Sequence, residues 1–161
     1  AVLSVTSIHA GTAFNIIPET AEILGTVRTF TPEVRELVIG RFNALVTGLA
    51  TAFQVESSID YQSGTKAVSN DAGLAARVRE LAEFVPGVTN VVAHERTMGS
   101  EDMSEFMSDR PGCYFFIGSR NDERGLNFGH HHPRFDFDER ALVTGAALMA
   151  AAAVDYTSRG A

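Results

Sequence analysis

Thr31-Pro32-Glu33 begins a helix that the rest of the first half must accommodate. Thr is a good N-cap, Pro fits the first helical position, and Glu suits the positive end of the dipole. Behind them Val34, Leu37, Val38, Phe42, Leu45, Leu49 and Phe53 recur at helical spacing and predict one apolar stripe. A stripe this long needs a sheet to lie on. Val2 to His9 and Glu22 to Phe30 supply β-forming residues on either side of a loop, as an antiparallel pair. Gly25 marks a bulge or a close approach within the second strand. After the helix, Val55, Ser57, Ile59 and Tyr61 alternate with Glu56, Ser58 and Asp60, which predicts a half-buried strand. The first part reads β-β-α-β.

Gln62-Ser63-Gly64-Thr65-Lys66 is polar, broken by Gly, and is the best boundary in the chain. Two parts follow from it, 1–65 and 66–161. In the second, Asp71 caps a helix carrying Leu74, Val78, Leu81 and Val85, and Pro86-Gly87 stops it. Val88 to Ala93 predicts a short strand. Met98-Gly99-Ser100-Glu101-Asp102 predicts a short helix capped by Ser100, and Cys113 to Ile117 a strand buried on both faces. Asp138 caps a last helix with Leu142, Val143, Ala146, Met149 and Ala150 facing in. This α-β-α-β-α order is one flank of a layered α/β domain. Neither half closes a core by itself, and each reads as a piece of a domain.

With 20 acidic against 13 basic residues the net charge is −7, which argues against nucleic acid or an anionic membrane as partner. No run appears long and apolar enough to span a bilayer. The single Cys113 excludes an intrachain disulfide and suits a reducing, cytoplasmic compartment. Its apolar neighbours make it a packing residue rather than a nucleophile. The chain does not open on Met, and its numbering is read as starting inside a longer polypeptide.

Chemistry concentrates in Gly129-His130-His131-His132-Pro133-Arg134. Neutral imidazole is the commonest metal ligand. On an extended backbone His131 points away from His130 and His132, so one imidazole reaches a site and the three do not share an ion. A run of this kind is also compatible with a solvated surface patch. Asn15 and Arg28, thirteen apart, are brought together if the strand pair folds suitably, and an amide with a guanidinium recognises a carboxylate. Gly99 and Ser100 either offer backbone donors to an anion or simply cap a helix. His9 and His94 read as polar residues at strand ends. There is no Gly-x-Ser-x-Gly, P-loop, dinucleotide fingerprint or His-Glu-x-x-His pattern.

Five stretches in order resemble the two-metal amidohydrolase family of aminoacylases and carboxypeptidases, which includes hippurate hydrolases and indole-3-acetyl-amino-acid hydrolases. They are Ala-Gly-Thr-Ala-Phe-Asn-Ile-Ile-Pro-Glu-Thr-Ala at 10–21, Gly-Thr-Val-Arg-Thr-Phe at 25–30, Met-Gly-Ser-Glu-Asp-Met at 98–103, Pro-Gly-Cys-Tyr-Phe-Phe-Ile-Gly at 111–118, and His-His-Pro-Arg-Phe-Asp-Phe-Asp-Glu at 131–139. The resemblance implies an α/β fold in two parts: an incomplete β-β-α-β lid, then the C-terminal flank of a layered α/β metallohydrolase domain. It implies two divalent ions per complete site, Zn, Mn or Co, with His131 as the last ligand in a register that His130 and His132 also flank. Asn15 and Arg28 would hold the substrate's carboxylate end, and Gly99 and Ser100 would line the site. The other ligands and the general base lie upstream in the family, so no catalytic residue maps to this chain. The implied substrate is a small N-acyl amino acid, and the implied partners are the N-terminal catalytic half and a second copy paired through the lid. The competing reading is a non-catalytic dimerisation or carboxylate-binding module.

Overall fold

The computed structural model describes residues 1–158. Contacts divide the chain into two units, Ala1–Ala67 with Arg96–Glu105, and Val68–Glu95 with the chain from Phe106 onward. In the first unit β1 (Val2–Ala10) and β2 (Ala21–Arg28) form a two-stranded antiparallel sheet. Its register runs from Val2 opposite Arg28 to Ala10 opposite Ala21, with a bulge between Val5 and Ser7. The close approach expected at Gly25 is present: a Cβ there would lie 2.4 Å from the Ser4 carbonyl oxygen.

Helix α1 (Pro32–Phe53) starts as expected, with the Thr31 hydroxyl accepting from the Val34 N–H. Gln54 ends it in the left-handed region. The face it covers differs from the predicted stripe. Val38, Ile39, Phe42, Val46 and Ala50 are covered or partly so, whereas Leu37, Leu45, Leu49 and Phe53 stay exposed. The helix is apolar on more than one face, so periodicity does not single out which one packs.

In the second unit α2 (Ala72–Ala82) is capped by the Asp71 carboxylate at 2.8 Å from the Leu74 N–H. It packs on α4 (Arg140–Ser158) around Ala82, Val85 and Leu148, with Val78, Leu81, Val88, Phe115 and Ile117 against them. Arg77 of α2 forks onto the Asp155 carboxylate at 2.6 and 2.9 Å. The inward face of α4 is another correction. Ala141, Thr144, Gly145 and Leu148 face the core, while Leu142, Val143 and Met149 are exposed. Small residues let α4 approach closely, and a Cβ on Gly145 would sit 3.4 Å from Ile117.

The three strands expected at 55–61, 88–93 and 113–117 are not strands among the described residues. A strand is defined by a ladder, and these segments have β-forming residues but no neighbour to pair with. They are nonetheless placed. Tyr61 lies edge-on to Phe42 and donates to Asn43, and Val88, Phe115 and Ile117 reach the core.

The short helix is also shifted. It is α3 (Met103–Phe106), and Ser100 does not cap it. Glu101 lies two residues before it, its carboxylate accepting from the Met103 N–H at 3.4 Å and its carbonyl from the Ser104 hydroxyl at 3.0 Å. By length and composition α1 and α4 are long and apolar enough to cross a membrane, contrary to expectation. Each packs within its own unit, α1 on β2 and α4 on α2.

The surface is large for so short a chain. The accessible area is 13121 Å², whereas a compact chain of this length exposes about 7,800 Å² and two separate bodies of half the length about 9,400 Å². Large apolar side chains contribute to it, with Phe14, Ile17, Phe84 and Val143 among those exposed.

Candidate metal-ligand loop and carboxylate site

The histidines sit in a loop whose two ends are pinned together. Asn121 and Leu126 exchange backbone hydrogen bonds at 2.9 and 2.8 Å around Gly125, whose φ is +72°. Asp138, 6% exposed, lies at the far end of the loop. Its carboxylate accepts from Asn121 at 2.7 Å, from Arg124 at 3.4 Å, and from the Arg140 guanidinium and N–H. Its own N–H donates to the Ser119 carbonyl at 2.9 Å. Hydrogen bonds from Arg140 first, then Asn121, hold the Asp138 carboxyl well below the usual carboxylate range. The expected cap of the last helix is therefore present, and it also fastens the loop.

Between those ends the backbone is turned, not extended. The His132 N–H donates to the Gly129 carbonyl at 3.2 Å, closing a turn with His131 third, at φ +67°. Phe135 N–H donates to His132 at 2.9 Å, closing a second turn with Pro133 in its second place. These are the places that favour positive φ in a type II turn and Pro in types I and II. Holding a non-glycine residue left-handed costs about 1–2 kcal/mol, although His tolerates it better than most.

The flanking rings supply the compensation. His132 stacks on Phe128 at 4.3 Å between centroids, and the Arg134 guanidinium lies 4.2 Å from the same ring. His130 meets Phe135 edge-on at 4.9 Å. Aromatic pairs contribute about 0.5–1.5 kcal/mol each and an exposed cation–π contact about 0.5–1 kcal/mol, enough to offset the turn's strain. His132 Nδ1 also accepts from the Arg134 N–H at 3.1 Å. His131 makes no hydrogen bond, ion pair or ring contact among the described residues and is exposed.

An exposed imidazole on a fixed turn fits one ligand position of a divalent ion. No group of three or more His, Cys, Asp or Glu that could hold a metal exists among the described residues. His131 therefore fits as a single donor, and these residues do not supply a complete ligand set. His94, also at φ +67°, is exposed and belongs to no such group.

In the first unit Arg28, Gly99 and Ser100 come together. Arg28 Nη1 donates to the Met98 carbonyl at 2.7 Å. That leaves the remaining guanidinium donors for an anion. The Ser100 and Thr65 hydroxyls share a hydrogen bond at 2.8 Å, and the Gly99 N–H donates to Thr97 at 3.2 Å. Thr65 was hidden in a stretch that reads as a linker, and no motif marks it. Asn15 is elsewhere. It sits in the connection beyond Ala10 and Ala21, whereas Arg28 is at the opposite end of the ladder. Seven residues at about 3.3 Å each put roughly 23 Å between Ala21 and Arg28. The strand pair thus separates the two residues that sequence spacing had suggested it would join.

Cys113 is partly buried, and burial pushes its thiol up, as suits a packing residue.

Residues 5–155 match the model of peptidase family M20/M25/M40. The chain is 30% identical over 159 residues to thermostable carboxypeptidase 2 of Saccharolobus solfataricus, covering 98% of this chain and 40% of that protein. It is 37% identical over 142 residues to N-acetyldiaminopimelate deacetylase of Halalkalibacterium halodurans, covering 88% and 37%. Among solved structures, the Bacillus subtilis YXEP protein, described as a dinuclear metal binding peptidase, superposes with a TM-score of 0.77 at 31% identity, covering 96% of this chain and 41% of that one. The chain spans about two fifths of the length of the relatives it matches. With motif order, turn geometry and these similarities in agreement, the chain belongs to peptidase family M20/M25/M40.

Proposed function

We propose that the chain is the C-terminal part of a metal-dependent hydrolase that cleaves the amide bond of small N-acyl amino acids, hippurate-like compounds included. The observation that carries this reading is the loop that leaves one imidazole, His131, unpartnered while engaging its two neighbours. Relatives of this chain are named carboxypeptidase and N-acetyldiaminopimelate deacetylase. The upstream residues of a complete enzyme would supply the other ligands and the general base. The bound ions, Zn, Mn or Co, would polarise the amide carbonyl and lower the pKa of water. The role of His131 is to hold one position of that site.

Arg28, with its guanidinium steadied by Met98, offers the substrate carboxylate a fork, and Ser100, steadied by Thr65, lines the same place with Gly99. Asn15 belongs to the carboxylate site as well, and its distance along the ladder gives it to a second copy. A homodimer paired through the lid then assembles each site from Arg28 of one protomer and Asn15 of the other. Both outer edges of the β1–β2 sheet are free for such pairing among the described residues.

The test is complementation in the full-length protein. Asn15→Ala and Arg28→Ala each abolish hippurate hydrolysis. An equal mixture of the two variants, once its subunits have exchanged, regains roughly a quarter of wild-type activity, because about half of the dimers are heterodimers and each keeps one of its two sites intact. No recovery on mixing would contradict the shared site.

A second reading has one observation in its favour. The Arg28 guanidinium, steadied by the Met98 carbonyl with donors to spare, suits a dimerisation or carboxylate-binding module. Binding of hippurate by the isolated chain without turnover, lost in Arg28→Ala, is its signature.

A further inference from the structure

We propose that Phe128 is a positioning residue for His131. By engaging His132 and Arg134 it withholds the neighbouring imidazole from the ligand set and fixes the turn that presents His131. The proposal rests on the reading of His131 as a metal ligand. Three observations carry it. Phe128 contacts two side chains of the loop at once, His132 at 4.3 Å and Arg134 at 4.2 Å. Those two residues are further tied by the hydrogen bond from the Arg134 N–H to His132 Nδ1, so this nitrogen is already an acceptor. Phe128 itself lies two residues beyond the Asn121–Leu126 pairing and is partly buried, whereas the histidines are exposed.

The loop thus has a fixed foot, a packed ring on that foot, and a left-handed turn above it. Without the ring, His132 and Arg134 lose their common support and His131 its fixed direction. Phe135 does the same for His130 from the other side of the turn. The consequence is selection: three adjacent imidazoles, of which the loop offers one. A run of three free histidines would instead bind in several registers, each with a different ligand geometry.

The test measures Co(II) binding to the full-length protein by chelator competition and reads the visible spectrum of the bound cobalt. Phe128→Leu is expected to weaken cobalt binding about 10–100-fold, the range found when groups that orient a ligand are removed, and to change the spectrum. Phe128→Tyr keeps the stacking face and is expected to restore both, to within about threefold. His131→Gln is expected to lose one equivalent of cobalt. If His131→Gln loses cobalt while Phe128→Leu retains wild-type affinity and spectrum, the positioning role is overturned and the ligand reading survives. If His131→Gln binds cobalt normally, the ligand reading itself falls. If Phe128→Leu does not fold, Phe128→Tyr decides: a folded Tyr variant with a changed cobalt spectrum overturns the proposal, and an unchanged one supports it.

Discussion

The side chain of Asn70 does for Tyr114 what a neighbouring strand would do. Its amide donates to the Tyr114 carbonyl and accepts the Tyr114 N–H, both at 2.8 Å. The segment 113–117 therefore keeps its extended course beside the core without a ladder. Beside it the Asp71 N–H donates to the Gly112 carbonyl at 2.9 Å. Each such bond contributes about 0.5–1.5 kcal/mol net, so Asn70→Ala is expected to destabilise the second unit by about 1–3 kcal/mol. Urea unfolding followed by fluorescence measures it. Asn70→Asp, which keeps the acceptor and loses the donor, is expected to fall between wild type and Ala.

Gly25 and Gly40 offer a matched pair. A methyl on Gly25 would lie 2.4 Å from the Ser4 carbonyl oxygen, against the Ser4–Val5 backbone, whereas nothing lies within 4 Å of a Cβ on Gly40. Gly25→Ala is expected to destabilise by about 1–3 kcal/mol through overpacking. Gly40→Ala, within α1, is expected to stabilise by about 0.5–1 kcal/mol. Melting temperatures of the two variants should move in opposite directions.

Acid sensitivity should trace to Asp138. Its folded-state pKa lies below the unfolded one because the Arg140 guanidinium and Asn121 favour the carboxylate. The stability this contributes is fully present above the ordinary carboxylate pKa of about 4 and is lost as pH falls through the lower folded value. The gap in stability between wild type and Asp138→Asn should thus be widest near neutral pH and close as pH drops below about 4. Denaturant titrations at a series of pH values check the sign.

Burial pushes the Cys113 thiol up, so little thiolate is present at neutral pH. Labelling by a disulfide reagent is expected to be slower than for an unfolded control, and Cys113→Ser should leave hydrolysis intact.

What the sequence made legible was local chemistry. Thr31, Asp71 and Asp138 announce their helices because a cap depends on side-chain type and a few residues of spacing. Gly25 announces a close approach for the same local reason. The errors arise where the deciding partner is distant. Segments 55–61, 88–93 and 113–117 have strand-forming residues, but a ladder needs a neighbour, and none pairs with them among the described residues. The buried faces of α1 and α4 escape periodicity because both helices are apolar around most of their circumference. Asn15 and Arg28 look close at thirteen residues, yet only the register of β1 against β2 reveals that they lie at opposite ends. Family resemblance singles out His131, while the pairing of Phe128 with His132 and of Phe135 with His130 follows no period and is visible only in the structure.

The central claim is that His131 completes a metal site that hydrolyses N-acyl amino acids. The most direct measurement is amino-acid release from hippurate by the full-length protein after chelation and after return of Zn, Mn or Co. The account predicts release that chelation abolishes, that at least one of these metals restores, and that His131→Gln lacks under every condition. Release that persists after chelation, or that survives in His131→Gln, would contradict it.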